Sequence, residues 1–90
     1  MYRIEFTSHA KVEIAKHKKS NPASYKKIVR LLSELQIHPR TGTGHPEPLT
    51  KGNDTTYSRR INKKDRLIYD IYDDVVTVLL LTTMGHYTDK

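Results

Sequence analysis

Several residue types that often decide how a small protein works are missing from this chain of 90 residues. It has no cysteine, which excludes disulfide frameworks, thiol catalysis, redox chemistry and cysteine-based zinc sites. It has no apolar run near the roughly 20 residues that a membrane span needs, and its first residues lack the apolar stretch of a signal peptide. We therefore expect one cytoplasmic domain over residues 1–90, without a membrane segment and too short for two separate cores.

The chain carries an excess of positive charge. The chain has 16 Lys and Arg against 10 Asp and Glu, a formal net charge of +6. Residues 1–40 hold nine Lys and Arg against three Glu, whereas residues 41–90 hold seven of each sign. The excess in the first half points to a polyanionic partner, such as nucleic acid or an acidic protein.

Hydrophobic periodicity in the first half predicts a strand followed by a two-helix hairpin. Residues alternate between polar and apolar over Tyr2–Phe6, which is typical of a half-buried strand. A helix is predicted over Ser8–Lys18, with a narrow apolar stripe formed by Ala10, Ile14 and Ala15. Asn21-Pro22 favours a second helix start, and the spacing of apolar residues from there to Leu35 is that of an amphipathic helix.

The second half reads as a loop and three strands. His38-Pro39 ends the second helix, and residues 39–55 are predicted to form an ordered surface loop. Strands are predicted over Thr56–Ile61, Arg66–Tyr72 and Val75–Thr82, joined by short turns, and the last is expected to be the central strand, buried on both faces. The expected fold class is α+β: an N-terminal strand, a helix hairpin and three antiparallel strands, in one sheet with the helices packed on one face.

Three polar segments could carry chemistry. They are the stretch around Glu47 in the loop, the arginine-rich stretch from Tyr57 to Arg66, and His86-Tyr87 near the end of the chain. Each also has an ordinary explanation: a solvated carboxylate between two prolines, surface ion pairs of the arginines, or a frayed terminus.

Together these segments match the requirements of RNA cleavage through the 2′-hydroxyl. That reaction needs a base for the 2′ proton, an acid for the departing 5′ oxygen and cations to stabilise the negative charge that develops on the phosphate. Glu47, His86 and the pair Arg59 and Arg66 could fill these roles without a metal or another cofactor. The rings of Tyr57 and Tyr87 could stack on exposed bases.

The same segments resemble a known family. Residues 42–49 (GTGHPEPL), 58–62 (SRRIN), 66–69 (RLIY) and the closing His86-Tyr87 look like the YoeB (Txe) toxins of the RelE superfamily, and the resemblance covers essentially the whole chain. It implies a RelE-like fold and a ribosome-dependent messenger-RNA endoribonuclease of a type II toxin–antitoxin module. The implied partners are a YefM-like antitoxin, the ribosome and mRNA, a second copy of the chain in a homodimer and, together with the antitoxin, operator DNA.

The resemblance also implies roles for individual residues. Glu47 would be the general base, His86 the general acid and Arg66 the group that stabilises the transition state, while Arg59 and Tyr87 would orient the substrate. Family members often carry Trp where this chain has Tyr57, so the sequence departs from the family pattern at the position expected to stack on a base.

The basic residues of the two helices form a further candidate surface. They could contact ribosomal RNA phosphates, or they could simply solvate the helices: Lys11, Lys16, Lys18, Lys19, Lys26, Lys27 and Arg30. Two other functions also fit the sequence, a non-catalytic RNA-binding or ribosome-binding module and a degenerate toxin that retains only antitoxin binding.

Overall fold

A computed structural model describes residues 1–50, 52 and 54–85 of the chain. The described residues form two helices, five strands and a 3₁₀ turn, in the order β1 (Arg3–Phe6), α1 (Ser8–Ser20), α2 (Pro22–Leu35), β2 (Glu47–Pro48), β3 (Thr56–Arg60), β4 (Arg66–Tyr72), the 3₁₀ turn (Asp73–Val75) and β5 (Thr77–Gly85). The predicted α+β class, with a strand and a helix hairpin ahead of three longer strands, is confirmed. Within the described residues, no helix is long and apolar enough to cross a membrane.

The strands form one mixed sheet with the order β1-β5-β4-β3-β2. β1 runs parallel to β5, and the other neighbouring strands are antiparallel. The expectation that β5 is the central strand is wrong: β4 has that place, and β5 lies between β4 and β1. Its burial alternates, because Val78 and Leu80 are buried whereas Leu79 and Leu81 are only half-buried.

Two local features of the second half differ from the predicted elements. The loop over residues 39–55 contains the short strand β2, which pairs with β3 at the edge of the sheet. At the other end of the sheet, β5 begins at Thr77 rather than Val75, because the chain first makes the 3₁₀ turn and then passes through Val76 with a φ of 47°.

The helices begin where the sequence places their caps. The side chain of Thr7 accepts a hydrogen bond from Ala10 N at 3.0 Å, and that of Asn21 accepts one from Ser24 N at 3.3 Å. On α2 the buried residues include Ile28, Leu31 and Leu35, as expected for an amphipathic helix.

The buried face of α1 is different from the expected apolar stripe. Ala10 is buried, but Ala15 is exposed, and the other buried residues of this helix are Glu13 and His17. A helix that buries a carboxylate and an imidazole must find them partners, because unpaired polar groups are costly in a protein interior.

The core lies between the helices and one face of the sheet. The sheet contributes Tyr57, Leu67, Tyr69, Ile71, Val78 and Leu80 to it. Side chains alternate across a strand, so the residues between these belong to the other face, which we call the open face. On β3 and β4 the open face carries Ser58, Arg60, Arg66 and Ile68.

Candidate functional site

The strand register brings Glu47, Arg60 and Arg66 to the open face. Glu47 pairs with Ser58, and Arg60 pairs with Arg66. Directly paired residues of antiparallel strands project to the same side of a sheet, so the carboxylate and both guanidinium groups share this face. Glu47 on β2 and Arg66 on β4 are two strand spacings apart across the sheet and two residues apart along it, roughly 12 Å between their backbones, which leaves room for a phosphodiester between the side chains.

Glu47 is held at the sheet edge by its neighbours. Pro46 and Pro48 restrict the backbone on both sides, and an edge strand tolerates prolines because their missing N–H groups are not needed for the ladder. Leu49 N donates to Thr56 O at 3.0 Å and continues the pairing with β3. Glu47 itself is exposed, so its carboxylate is accessible on a backbone that the two prolines restrict.

Two glycines allow the preceding loop to pass close to other parts of the chain. Gly42 has a φ of +120°, and a Cβ there would meet the carboxylate of Glu34. Gly44 has a φ of +87°, and its carbonyl accepts a hydrogen bond from Arg60 N at 2.7 Å. The glycines that make the GTGHPEPL segment recognisable are therefore required by the path of the loop that carries Glu47.

Arg59 holds this loop to the sheet from inside the protein. Its side chain is fully buried, and its guanidinium donates to five oxygens: Tyr69 Oη at 3.0 Å, Glu34 Oε1 at 3.0 Å, Thr41 O at 2.7 Å, Thr43 O at 3.4 Å and His38 O. A guanidinium has five N–H groups, so these bonds use its full donor capacity. The expectation that Arg59 orients substrate is corrected here, because the side chain has no surface to present and serves the loop instead.

Glu34 completes this arrangement from α2. Its carboxylate accepts hydrogen bonds from the hydroxyl of Thr43 at 2.6 Å and from Thr43 N at 2.8 Å, besides the contact with Arg59. The bonds from Thr43, with the nearby guanidinium, hold the pKa of Glu34 below its usual range. One carboxylate thus connects the helix layer to the loop and the sheet.

Arg60 is the arginine that faces outward. It is exposed on the open face, directly opposite Arg66, and the described residues give it no ion pair. Two like charges directly opposite on a sheet repel each other, and an anion between them would relieve this repulsion. From the sequence, substrate contact is expected at Arg59 rather than Arg60. Residue types alone do not distinguish the two, because the strand register decides which of two adjacent arginines faces outward.

Tyr57 is also placed differently from the expectation. Its ring is on the helix-facing side, 8% exposed, and stacks on Tyr69 with 6.3 Å between the ring centroids. Its hydroxyl donates to Asp54 Oδ1 at 2.9 Å, and the guanidinium of Arg40 lies over the ring at 5.9 Å. The expectation that an RNA base stacks on this ring is therefore corrected, because the ring is buried and contacts Tyr69 and Arg40 inside the protein.

The end of β5 reaches the same part of the open face. Gly85 pairs with Arg66, and the absence of a side chain there lets the strand lie against Ile68. His86 and Tyr87 follow Gly85 directly in the sequence and lie outside the described residues. Beside this strand pair, Ser58 is fully buried, and its Oγ has no hydrogen-bond partner within the described residues.

The basic residues of the helices lie away from the core. Lys27 is half-buried, and the other six are exposed: Lys11, Lys16, Lys18, Lys19, Lys26 and Arg30. Two have local contacts, since Lys18 Nζ lies 5.7 Å from the ring centroid of Tyr25 and Arg30 Nε lies 4.0 Å from Glu34 Oε2.

Comparison with known proteins identifies the family. The profile of the YoeB-like toxins of bacterial type II toxin–antitoxin systems matches residues 6–87. The chain belongs to this family. The YoeB toxin of Streptomyces coelicolor is 35% identical over 77 residues, which is 86% of this chain and 92% of that protein.

Solved YoeB structures have the same fold. The structure of a YoeB dimer from Staphylococcus aureus aligns with a TM-score of 0.83 and 29% identity, covering 96% of this chain and 98% of that one. A heterotetrameric YoeB–YefM toxin–antitoxin complex from the same organism aligns with a TM-score of 0.78 and 28% identity, covering 97% and 99%. The chain thus has both the sequence profile and the fold of the YoeB toxins, and the predicted YoeB family is confirmed.

Proposed function

We propose that this YoeB-like toxin is a ribosome-dependent mRNA endoribonuclease that cleaves through the 2′-hydroxyl of its substrate. The observation that supports it most directly is the open face, where Glu47, Arg60 and Arg66 lie on one side of the sheet beside the strand that leads into His86. A carboxylate, two guanidinium groups and an imidazole are sufficient for this reaction without a metal.

Each residue has a role in the proposed reaction. Glu47 removes the proton from the 2′-hydroxyl, whose oxygen then attacks the adjacent phosphorus. Arg66, with Arg60 beside it, stabilises the negative charge that builds up on the phosphate oxygens. His86 donates a proton to the departing 5′ oxygen, so the products are a 2′,3′-cyclic phosphate and a 5′-hydroxyl. Tyr87 retains its proposed role in orienting the substrate.

The proposal is tested with purified protein and ribosomes that carry a defined mRNA. Glu47→Gln and His86→Gln should each lower the rate of single-turnover cleavage by about 10²- to 10⁴-fold, the usual contribution of a general acid or base. Glu5→Gln is the matched control: Glu5 is an exposed carboxylate on β1, at the opposite edge of the same sheet. The products should carry the 2′,3′-cyclic phosphate and a 5′-hydroxyl.

The same experiment separates the alternatives. A non-catalytic module would bind ribosomes and produce no new RNA ends, and a degenerate toxin would bind only its antitoxin. Undiminished cleavage by both the Glu47 and His86 variants would contradict the proposed acid–base roles.

The partners follow from the same proposal. We infer a YefM-like antitoxin for this chain, since a YoeB from Staphylococcus aureus is found in complex with YefM. We also infer a homodimer, since a YoeB structure from the same organism is a dimer. The toxin would act in the cytoplasm, where ribosomes and mRNA are, and with its antitoxin it would bind operator DNA.

The exposed basic residues of α1 and α2 are proposed to contact ribosomal RNA phosphates. Their exposure and the charge excess of the first half support this role. Binding to ribosomes should then weaken as salt rises, and Lys18→Ala with Lys19→Ala should reduce the slope of log K against log salt by about 0.7 to 0.9 for each phosphate that these lysines neutralise. An unchanged slope would mean that these two lysines only solvate the helix.

A further inference from the structure

A buried polar cluster on α1 has no part in the chemistry described above. Glu13 and His17 lie one helical turn apart on the same face and are 6% and 3% exposed. Carboxylates are almost never buried to this degree unless they are paired. Both side chains are directed at the last part of β5, the strand that leads into His86.

Glu13 and His17 face this part of β5 because β5 extends beyond the end of β1, the strand on its outer side. The register between β1 and β5 ends at Phe6 and Leu80, and Thr7 N donates to Leu80 O at 3.1 Å. Beyond this point β1 has turned into α1, so the outer edge of β5 has backbone groups without a neighbouring strand, and buried backbone groups need partners.

Side chains of α1 and of its cap replace the missing strand. Thr83 N donates to Glu13 Oε1 at 2.7 Å, and Thr83 O is 3.1 Å from His17 Nε2. The hydroxyl of Thr82 donates to the same Glu13 oxygen at 2.6 Å, and the hydroxyl of Thr7 donates to Leu81 O at 3.1 Å. The second carboxylate oxygen, Glu13 Oε2, is 3.0 Å from His9 Nε2.

We propose that Glu13, assisted by His17, is a positioning residue for the general acid: by holding Thr82 and Thr83 it fixes the end of β5, where Gly85 pairs with Arg66 and from which the sequence continues to His86. This inference rests on the proposed function of His86. His86 comes three positions after Thr83 in the sequence, at most about 11 Å of extended chain, so a shift of the strand at Thr83 changes the point from which the chain continues to the acid. Proton transfer needs the two heavy atoms within hydrogen-bond reach, and a displacement of about 1 Å can cost a hundredfold in rate.

The test uses two substrates that differ only in their need for an acid. Ribosome-bound mRNA carries at the cleavage site either the natural 5′ oxygen or a sulfur atom in its place, and a thiolate leaves without being protonated. Glu13→Ala should cleave the oxygen substrate at least about 10-fold more slowly than the unmodified toxin and the sulfur substrate less than about 3-fold more slowly. Glu13→Gln keeps an oxygen acceptor for Thr83 N and should recover most of the rate.

Two threonine variants test the same contact with a smaller change. Thr82→Val removes the hydroxyl that donates to Glu13 and also accepts from Met84 N at 3.1 Å, so it breaks the link from Glu13 to the end of β5 and should show the same preference for the sulfur substrate. Thr77→Val is the matched control, because it removes a buried hydroxyl at the other end of β5, where Thr77 Oγ1 donates to Val75 O at 2.9 Å. It should leave the ratio of the two rates unchanged. All rates are compared for the folded fraction, measured by denaturant unfolding; if Glu13→Ala does not fold, the Thr82→Val result decides.

The outcomes separate this inference from the proposed function. His86→Gln serves as the reference, because loss of the acid itself should slow only the oxygen substrate. If His86→Gln gives this signature but Glu13→Ala and Thr82→Val do not, Glu13 only stabilises the fold and the inference fails. If His86→Gln slows both substrates equally, or neither, the assignment of His86 as the acid fails first.

Discussion

Two adjacent arginines in the same strand have opposite environments. Arg59 is enclosed by five oxygens between the sheet and the loop, whereas Arg60 is exposed on the open face opposite Arg66. The difference follows from the alternation of side chains along β3, which sends one guanidinium into the protein and the next to its surface. The first is a structural residue and the second is available to a phosphate.

This contrast gives a paired prediction. Arg59→Ala leaves the carboxylate of Glu34 and several carbonyls without their donor, so the free energy of unfolding should fall by about 3 to 5 kcal/mol, the usual cost of breaking a buried charged network. Arg60→Ala should change it by no more than about 0.5 kcal/mol, as for other surface substitutions. Urea unfolding of both variants measures the difference.

Activity should follow a different pattern from stability. The Arg60→Ala protein should remain folded and cleave ribosome-bound mRNA more slowly than the unmodified toxin, because it lacks one of the two guanidinium groups of the open face. Equal losses of stability in the two variants would contradict the assignment of Arg59 to the loop.

Residue types and spacing were enough to identify Glu47 and Arg66 as a potential pair but not to choose between Arg59 and Arg60. That choice depends on which face of β3 meets the helices, and the sequence around it has Tyr57 and Arg59 on one face and Ser58 and Arg60 on the other. A tyrosine and an arginine suggest a functional surface as readily as a core, so the pattern was ambiguous. The paired strand β4, whose alternation of Leu67, Tyr69 and Ile71 is plainly apolar, resolves it.

At the scale of elements, the glycines of the Glu47 loop yield a second prediction. A Cβ at Gly42 would meet the Glu34 carboxylate, which Thr43 and Arg59 hold in place, and φ there is +120°. Gly42→Ala should therefore lower the free energy of unfolding by at least about 2 kcal/mol and also slow cleavage, because the loop that carries Glu47 must move.

Gly52→Ala is the control for this variant. Gly52 also has a positive φ, +85°, but nothing lies within 4 Å of its Cβ position. It should lose only about 1 to 2 kcal/mol, the cost of a side chain in the left-handed region. If the two variants were equally stable and equally active, the close approach at Gly42 would not matter.

The turn between β4 and β5 contains a strained residue. Val76 is in the left-handed region with φ 47° and ψ 52°, which is unfavourable for a β-branched side chain, and its side chain is exposed. Asparagine tolerates this conformation much better. Val76→Asn should therefore stabilise the protein by about 1 kcal/mol, which corresponds to about 4 to 8 °C in Tm for a domain of this size.

Differential scanning calorimetry measures this change. Val75→Asn, at an exposed neighbouring position without a positive φ, is the control and should leave Tm nearly unchanged. A lower Tm for Val76→Asn would mean that the valine side chain contributes more by its contacts than it costs in strain.

Hydrophobic periodicity predicts the elements that bury an apolar face. It does not predict the features that depend on polar contacts. The amphipathic helix α2 and the strand β4 agree with their predicted ranges because one face of each is apolar. Apolar periodicity does not identify the buried face of α1, since Glu13 and His17 are polar residues that bind β5. The strand β2 was missed because its two residues, Glu47 and Pro48, have low strand propensity and are paired only through the path of the loop.

At the scale of the whole molecule, charge and chemistry occupy different places. The net charge of +6 arises from the first 40 residues, and most of these basic side chains are exposed on α1 and α2. The proposed reaction takes place on the open face of the sheet, in the half of the chain where the charges balance. This separation would allow the helices to bind RNA phosphates while a message reaches the opposite face.

Acidic side chains connect the layers of the molecule, so its stability should depend on pH. Hydrogen bonds from Thr43 hold the pKa of Glu34 below its usual range, and those from Arg40 and then Tyr2 do the same for the pKa of Asp73. In the unfolded chain these groups titrate near their reference values of about 4.3 and 3.9. Their stabilising effect is therefore complete at neutral pH and is lost progressively as the pH falls below about 5, through the unfolded pKa values and then the lower pKa values of the folded state.

The dependence can be measured by urea unfolding between pH 7 and pH 3. The unmodified toxin should lose stability steadily below about pH 5, where the unfolded chain begins to bind more protons than the folded one. Glu34→Gln should be less stable at pH 7 and show a flatter dependence, because one of the responsible carboxylates is gone. Glu5→Gln, whose carboxylate is exposed and only 3.8 Å from Arg3 Nε, should keep the slope of the unmodified protein. A Glu34→Gln curve parallel to the unmodified one would show that the acid sensitivity comes from other groups.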